Sequence, residues 1–125
     1  MTGVTYDTGA LIAGERGDRR MWALHRRALE RGLLPVVTAA VLAEGWRGSA
    51  LMARLLLGCA VEALDEEAAR RAGLLLGACK MAVEVTDGTV VEGALRRGDV
   101  VMTSNRKHLA ALASASRRRL SLVDV

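Results

Sequence analysis

The chain has no phenylalanine, one tyrosine, two tryptophans and a single proline in its 125 residues. A core so poor in aromatics must be built from Leu, Val and Ala, which suits closely packed helices laid against a sheet. Its two cysteines, Cys59 and Cys79, lie inside apolar stretches with neither CxxC nor Cys/His spacing. They read as buried small hydrophobes in a reducing cytosol, not as a disulfide or a zinc site. The longest uncharged apolar run, Leu33 to Ala43, is far too short to cross a bilayer. The N-terminus lacks the basic-then-apolar layout of a secretion signal. Neither GxxxxGK(S/T) nor GxGxxG occurs, so no glycine-rich phosphate loop is expected. These absences predict one cytoplasmic domain over residues 1–125, with no membrane partner.

What the chain does have is apolar mass and arginine. Hydrophobic residues make up 51%, the net charge is +4, and sixteen of the eighteen basic residues are arginine. Arg16 with Arg19 and Arg20, Arg106 with Lys107, and Arg117 to Arg119 form three clusters. Guanidinium groups grip phosphate or carboxylate oxygens bidentately, so the clusters suit an oxyanion partner, although charge alone does not separate RNA from an acidic protein. A solvated surface explains them equally well.

Short apolar runs alternate with helical patterns. Val4 to Tyr6 reads as a strand followed by a helix from Thr8 to about Ala13. Asp18 caps a helix carrying Met21, Trp22, Leu24 and Leu29 to a stop at Gly32. Leu34 to Val37 is a strand, Thr38 caps a helix through Trp46, and Ser49 opens another to about Leu57. Val61 to Leu64 is strand-like, and Asp65 caps a long helix through Lys80. A short strand is expected to end near Val85, with a helix from Asp87 to Arg96 stopped by Gly98. Val100 to Thr103 is a strand, Asn105 to Ala113 a helix, and Leu120 to Val123 a final strand. Strands separated by helices of this length pair in parallel through right-handed crossovers. The fold class is α/β in three layers: a short parallel central sheet flanked by helices, with its site at the carboxyl ends of the strands.

Four polar residues stand where apolar strands give way to helices: Asp7, Glu44, Asp87 and Asn105. Glu44 continues the stripe Val37, Ala40 and Val41 at i, i+3, i+4 and i+7, which predicts a carboxylate on a buried face. Singly, Asp7, Asp87 and Asn105 fit helix N-caps, and Glu44 fits an ion pair with Arg47. Together at one sheet edge they make a self-repelling acid cluster, which a divalent cation would relieve. Asp99 starts its strand, far from that edge, and is expected to be structural. His25 and His108 have no Ser or Cys nucleophile block beside them and are not expected to be catalytic. Trp22 and Trp46 suit core or interface anchors.

Asp7 in "TYDTGALIAGE", Glu44 in "TAAVLAEGWRG", Asp87 in "VTDGTVVEGALRRG" and the segment "DVVMTSNRKHLAAL" together resemble the four signature blocks of PIN-domain ribonucleases. Length, order and spacing are most similar to VapC-type toxins of bacterial toxin–antitoxin pairs, and the resemblance covers essentially the whole chain. It implies a metal-dependent endoribonuclease that hydrolyses phosphodiester bonds in RNA and is neutralised by a small antitoxin protein. Asp7 and Asp87 would hold Mg²⁺ or Mn²⁺ directly, and Glu44 would hold metal-bound water or a second ion. Asn105 departs from the pattern, since that position in the family usually carries an aspartate. Its carbonyl oxygen can still face water or metal, with one negative charge fewer. Thr8 and Thr103 would orient the carboxylates, and Arg16 and Arg106 would contact RNA phosphates.

Two alternatives come from other classes. A catalytically weak PIN-like module that binds RNA or a protein partner is the reading Asn105 favours. A phosphoacceptor receiver domain fits the length, but it needs paired acids after the first strand and an aspartate after the third, and neither is present. The apolar helices bearing Met21, Trp22, Trp46 and Met52 predict a symmetric homodimer, joined by two antitoxin chains in a tetramer.

Overall fold

The structure is a computed structural model that describes residues 2–125. In chain order the elements are β1 (Val4–Tyr6), α1 (Thr8–Glu15), α2 (Arg19–Glu30), β2 (Val36–Thr38), α3 (Ala39–Gly45) and α4 (Ala50–Leu57). They continue with β3 (Ala60–Glu62), α5 (Glu66–Ala78), α6 (Val85–Arg97), β4 (Val100–Thr103), α7 (Arg106–Ala115) and β5 (Ser121–Asp124). The five strands form one sheet in the order β3-β2-β1-β4-β5, parallel throughout. This is the expected three-layer α/β architecture, and the fold is PIN-like.

Local chemistry explains most boundaries. Asp18, Thr38, Ser49 and Asp65 each accept a backbone N–H from the first turn of the helix they precede. Gly98 ends α6 in the left-handed region at φ 75°, where a side chain would be strained. Side chains alternate across β1. Buried Tyr6 bonds to His25 of α2 at 2.8 Å, whereas Thr5 points to the opposite layer, where Arg97 of α6 donates to it at 2.9 Å. The core is aliphatic and methionine-rich, including Leu11, Met21, Met52, Leu55, Val90, Val91, Val101, Leu109 and Leu112. Cys59 and Cys79 are half-buried free thiols.

One expected strand is missing. The chain after α5 reaches α6 through a loop, and Val85 is the first residue of α6 and not the end of a strand. A strand there would need a partner, yet α6 packs directly on α5 and covers β1, β2 and β4. Asp87 is therefore delivered to the site by a helix start alone. Asp99 is structural, as expected: it accepts from Arg97 at 2.9 Å and from Thr5 at 2.8 Å, tying the start of β4 to β1 and α6.

Candidate active site

β1 is flanked by β2 on one side and β4 on the other, so the chain's winding direction reverses between β1 and β4. Open α/β sheets leave a crevice at the carboxyl ends of such strands, because the helices that follow them diverge to opposite faces. Here the crevice is a cleft of about 270 Å³ lined by Asp7, Thr8, Gly9, Ile12, Glu44, Glu84, Asp87, Ser104, Asn105 and His108.

Asp7 caps α1, and its backbone N–H extends the β1–β4 ladder to Met102 O. Its two carboxylate oxygens have separate partners. Oδ1 accepts the Thr8 backbone N–H at 2.8 Å, and Oδ2 accepts the Thr103 hydroxyl at 2.7 Å. Thr103 Oγ1 also accepts the Asn105 backbone N–H at 2.8 Å, which fixes the turn into α7. Thr103 thus orients Asp7 as expected. Thr8 does so through its backbone, and its hydroxyl is buried with no hydrogen-bond partner.

Asp87 is the third residue of α6. With Glu84 it forms a capping box: each side chain accepts the other's backbone N–H, at 3.3 Å for Glu84 N to Asp87 Oδ2. A hydroxyl relay then locks α6 to α3. Val41 N–H donates to Thr38 Oγ1 at 3.4 Å, Thr38 and Thr89 hydroxyls meet at 2.9 Å, and Thr89 donates to Thr86 O at 2.7 Å. The relay sets the helix carrying Glu44 against the helix carrying Asp87.

Glu44 differs from its expected environment. It lines the cleft but is solvent-exposed, because α3 is short and its last turn projects past the sheet edge. It makes no ion pair among the described residues, and Arg47 donates instead to the carbonyls of Ala43 and Trp46. Asn105 caps α7 without a side-chain cap bond, its amide nitrogen lying 2.9 Å from His108 Nδ1. That same Nδ1 stands 3.6 Å from Asp87 Oδ2. Arg106 is committed elsewhere, to Asp124 at 2.9 Å and to Leu122 O. Arg16 is exposed and in no ion pair among the described residues, and it borders an adjoining cavity.

The sequence reading missed Glu84, Ser104 and His108. Acids at positions 84 and 87 have the spacing of a capping box, and Asn105 and His108 are one helical turn apart, so both pairs were visible as spacings. Ser104 had no signal beyond its place after a strand.

The electrostatics are those of crowded carboxylates. Burial pushes the Asp7 carboxyl above its usual range, against the Thr103 and Thr8 hydrogen bonds, and nearby Glu44 pushes it further. Asp87 is raised mainly by burial, and Asp7 and Glu84 add to this while His108 opposes it. No group of three or more His, Cys, Asp or Glu among the described residues already stands in metal-holding geometry. The donor chemistry nevertheless suits a hard cation: the carboxylates are oxygen ligands that destabilise one another, and the unpartnered Thr8 hydroxyl has room for an ordered water. Asp7 and Asp87 are the pair best placed to hold such an ion, with Glu44 and Asn105 at the cleft wall.

The sequence matches no protein-family model and no curated protein. The fold is similar to that of solved toxin–antitoxin complexes. A chain of DNA-bound VapBC from Salmonella typhimurium is 20% identical with a TM-score of 0.68, the match covering 99% of this chain and 98% of that one. A chain of VapBC2 from Rickettsia felis, bound to a promoter DNA fragment, is 13% identical with a TM-score of 0.68 over 98% of both chains. A toxin–antitoxin complex from Klebsiella pneumoniae gives 20% identity and a TM-score of 0.65, over 86% of this chain and 91% of that one.

Proposed function

We propose that this protein is a metal-dependent endoribonuclease, the toxin of a bacterial toxin–antitoxin pair. The observation that carries the proposal is the cleft at the β1/β4 switch point, where Asp7, Glu44, Asp87 and Asn105 share one wall set with no histidine–serine or cysteine nucleophile pairing. The likeness of fold to toxin–antitoxin complexes supports the toxin role and an antitoxin partner.

A bound Mg²⁺ or Mn²⁺ supplies a water nucleophilic at neutral pH and neutralises phosphate charge. This chain's residues do the rest. Thr103 and the Thr8 backbone hold both Asp7 oxygens in fixed directions, so little reorganisation is needed when an ion arrives. The Glu84–Asp87 capping box does the same for α6. Glu44, exposed at the mouth, accepts a proton from water or carries an outer hydration contact. Asn105 contributes a neutral carbonyl in place of an acid, which weakens the hold on a second ion more than on the first. Among the described residues, no helix is long and apolar enough to cross a membrane.

Asn105 also favours the reading of a weakly catalytic RNA- or protein-binding module. The test is purified protein against total cellular RNA with cut ends mapped. Mn²⁺-dependent cuts that EDTA stops and Asp7→Ala abolishes are expected. Cutting without metal, or equal cutting by Asp7→Ala, would refute the mechanism, and no cutting by either wild type or Asn105→Asp would establish the binding module.

A further inference from the structure

The arginines divide into two populations. Arg70, Arg71, Arg96, Arg97 and Arg106 are all in ion pairs with Glu66, Glu67, Glu92, Glu62, Asp99 or Asp124. Arg16, Arg19, Arg26, Arg27 and Arg31 are exposed, and none is in an ion pair among the described residues. At 100° per residue, Arg19, Arg20, Arg26, Arg27 and Arg31 fall within about 140° of arc on α2 and its C-cap. Met21, His25 and Ala28 bury the opposite side. Glu30 is the one acid on the arginine side, and Arg20 reaches Asp124 O.

This basic face is continuous with the acidic cleft. A second cavity, of about 510 Å³, is bordered by Arg16 and Asp18 and shares Gly9, Ile12 and Ser104 with the cleft. The shared wall is low because position 9 has no side chain. A Cβ on Gly9 would lie 2.0 Å from Ser104 Oγ, so any larger residue would drive the two apart. The two cavities therefore open onto each other over Gly9, and Arg16 leads to the start of α2.

Resting on the nuclease reading above, we infer that the outer face of α2 is the docking track for the RNA backbone. A strand would leave the carboxylate cleft over Gly9, pass Arg16, and lay its phosphates along Arg19, Arg26, Arg27 and Arg31 for the helix's length of about 18 Å. Guanidinium forks fit phosphate oxygens and carry no sequence information, so the track positions a structured RNA while the cleft cuts it. An acidic protein segment would also suit the charge. The continuity with the hydrolytic cleft favours RNA.

The experiment measures binding apart from cleavage. A fluorescently labelled stem–loop RNA is titrated by anisotropy with Asp7→Asn protein in EDTA, across a range of salt. Against that background, Arg19→Gln, Arg26→Gln, Arg27→Gln and Arg31→Gln are combined, with Arg70→Gln as the control. Each lost phosphate contact lowers the slope of log K against log salt by roughly 0.9. The combined variant is expected to lose about 3 from the slope, and the control none. Should the combined variant melt early, Arg26→Gln and Arg27→Gln taken singly are each expected to lose about 1. An unchanged slope in a variant that melts like its parent overturns the inference. So does unchanged RNA binding with loss of salt-sensitive binding to a poly-glutamate peptide, which would assign the face to a protein. Wild-type protein that binds RNA through α2 but never cleaves it with Mn²⁺ refutes the nuclease reading and leaves the track standing.

Discussion

Thr103 Oγ1 donates to Asp7 Oδ2 at 2.7 Å, joining the carboxyl ends of two strands that lie 96 residues apart in sequence. The bond does two things. It holds one Asp7 oxygen in a fixed direction, and it opposes the burial that raises the Asp7 pKa. Thr103→Val keeps the shape and removes the donor. It should raise the Asp7 pKa further and lower cleavage by at least tenfold, with a stability loss of about 1–3 kcal/mol at neutral pH. Thr103→Ser should retain most of both, and chemical denaturation beside a cleavage assay reads the difference.

The empty acid cluster should be a stability cost that a cation relieves. Asp7 and Asp87 have folded pKa values raised by burial and by each other, so each favours folding most when protonated. Their contribution is present below the unfolded value of about 3.9 and is lost as pH rises through the raised folded value. Asp7→Asn or Asp87→Asn should therefore raise the metal-free melting temperature at pH 7. Millimolar Mg²⁺ or Mn²⁺ should stabilise the wild type by mass action and leave both variants unmoved. Thermal melts that shift equally with metal in all three proteins would place the ion elsewhere.

Glu92 should show the opposite pH response. Burial raises its pKa, but hydrogen bonds from Arg96 and Arg71 outweigh that and hold it below the usual range. Its contribution is present above the unfolded value of about 4.3 and fades as pH falls through the lowered folded value. Glu92→Gln should cost about 1 kcal/mol at pH 7, modest because both arginines are more than a third exposed. The difference from wild type should disappear in acid, as measured by urea unfolding at several pH values.

Much of this arrangement was legible in the sequence. The alternation of apolar runs and capped helices predicts the parallel α/β class, and four of the caps sit where their residues suggest. The Val85 strand was misread because a short apolar run before a helix has the same local pattern whether or not a partner strand waits for it. Glu44 was misplaced because helical periodicity identifies a face but does not reveal where the sheet ends beneath it. Arg106 counted as a phosphate ligand until the fold brought Asp124 beside it, a contact across 18 residues that no local pattern encodes.

Association should follow from the apolar surface left outside the core. Leu57, Leu74 and Val85 are 86%, 79% and 59% exposed, more than isolated surface leucines require. A symmetric homodimer is expected, and light scattering that shows a monomer at micromolar concentration would count against it.

Restoring the acid at position 105 should strengthen the site. Asn105 now pairs with His108, and Asn105→Asp would return a charge beside Asp87 while keeping that partner. Cleavage of total RNA in Mn²⁺ should hold or increase, and a clear fall would show that Asn105 acts through its amide.

The central claim is that Asp7 and Asp87 share a divalent cation at the β1/β4 switch point. Crystals soaked in Mn²⁺ and measured for anomalous scattering test it directly. A peak in contact with both carboxylates, absent from crystals of Asp7→Asn, is the predicted result. A peak bound away from this cleft, or full occupancy in Asp7→Asn, would contradict it.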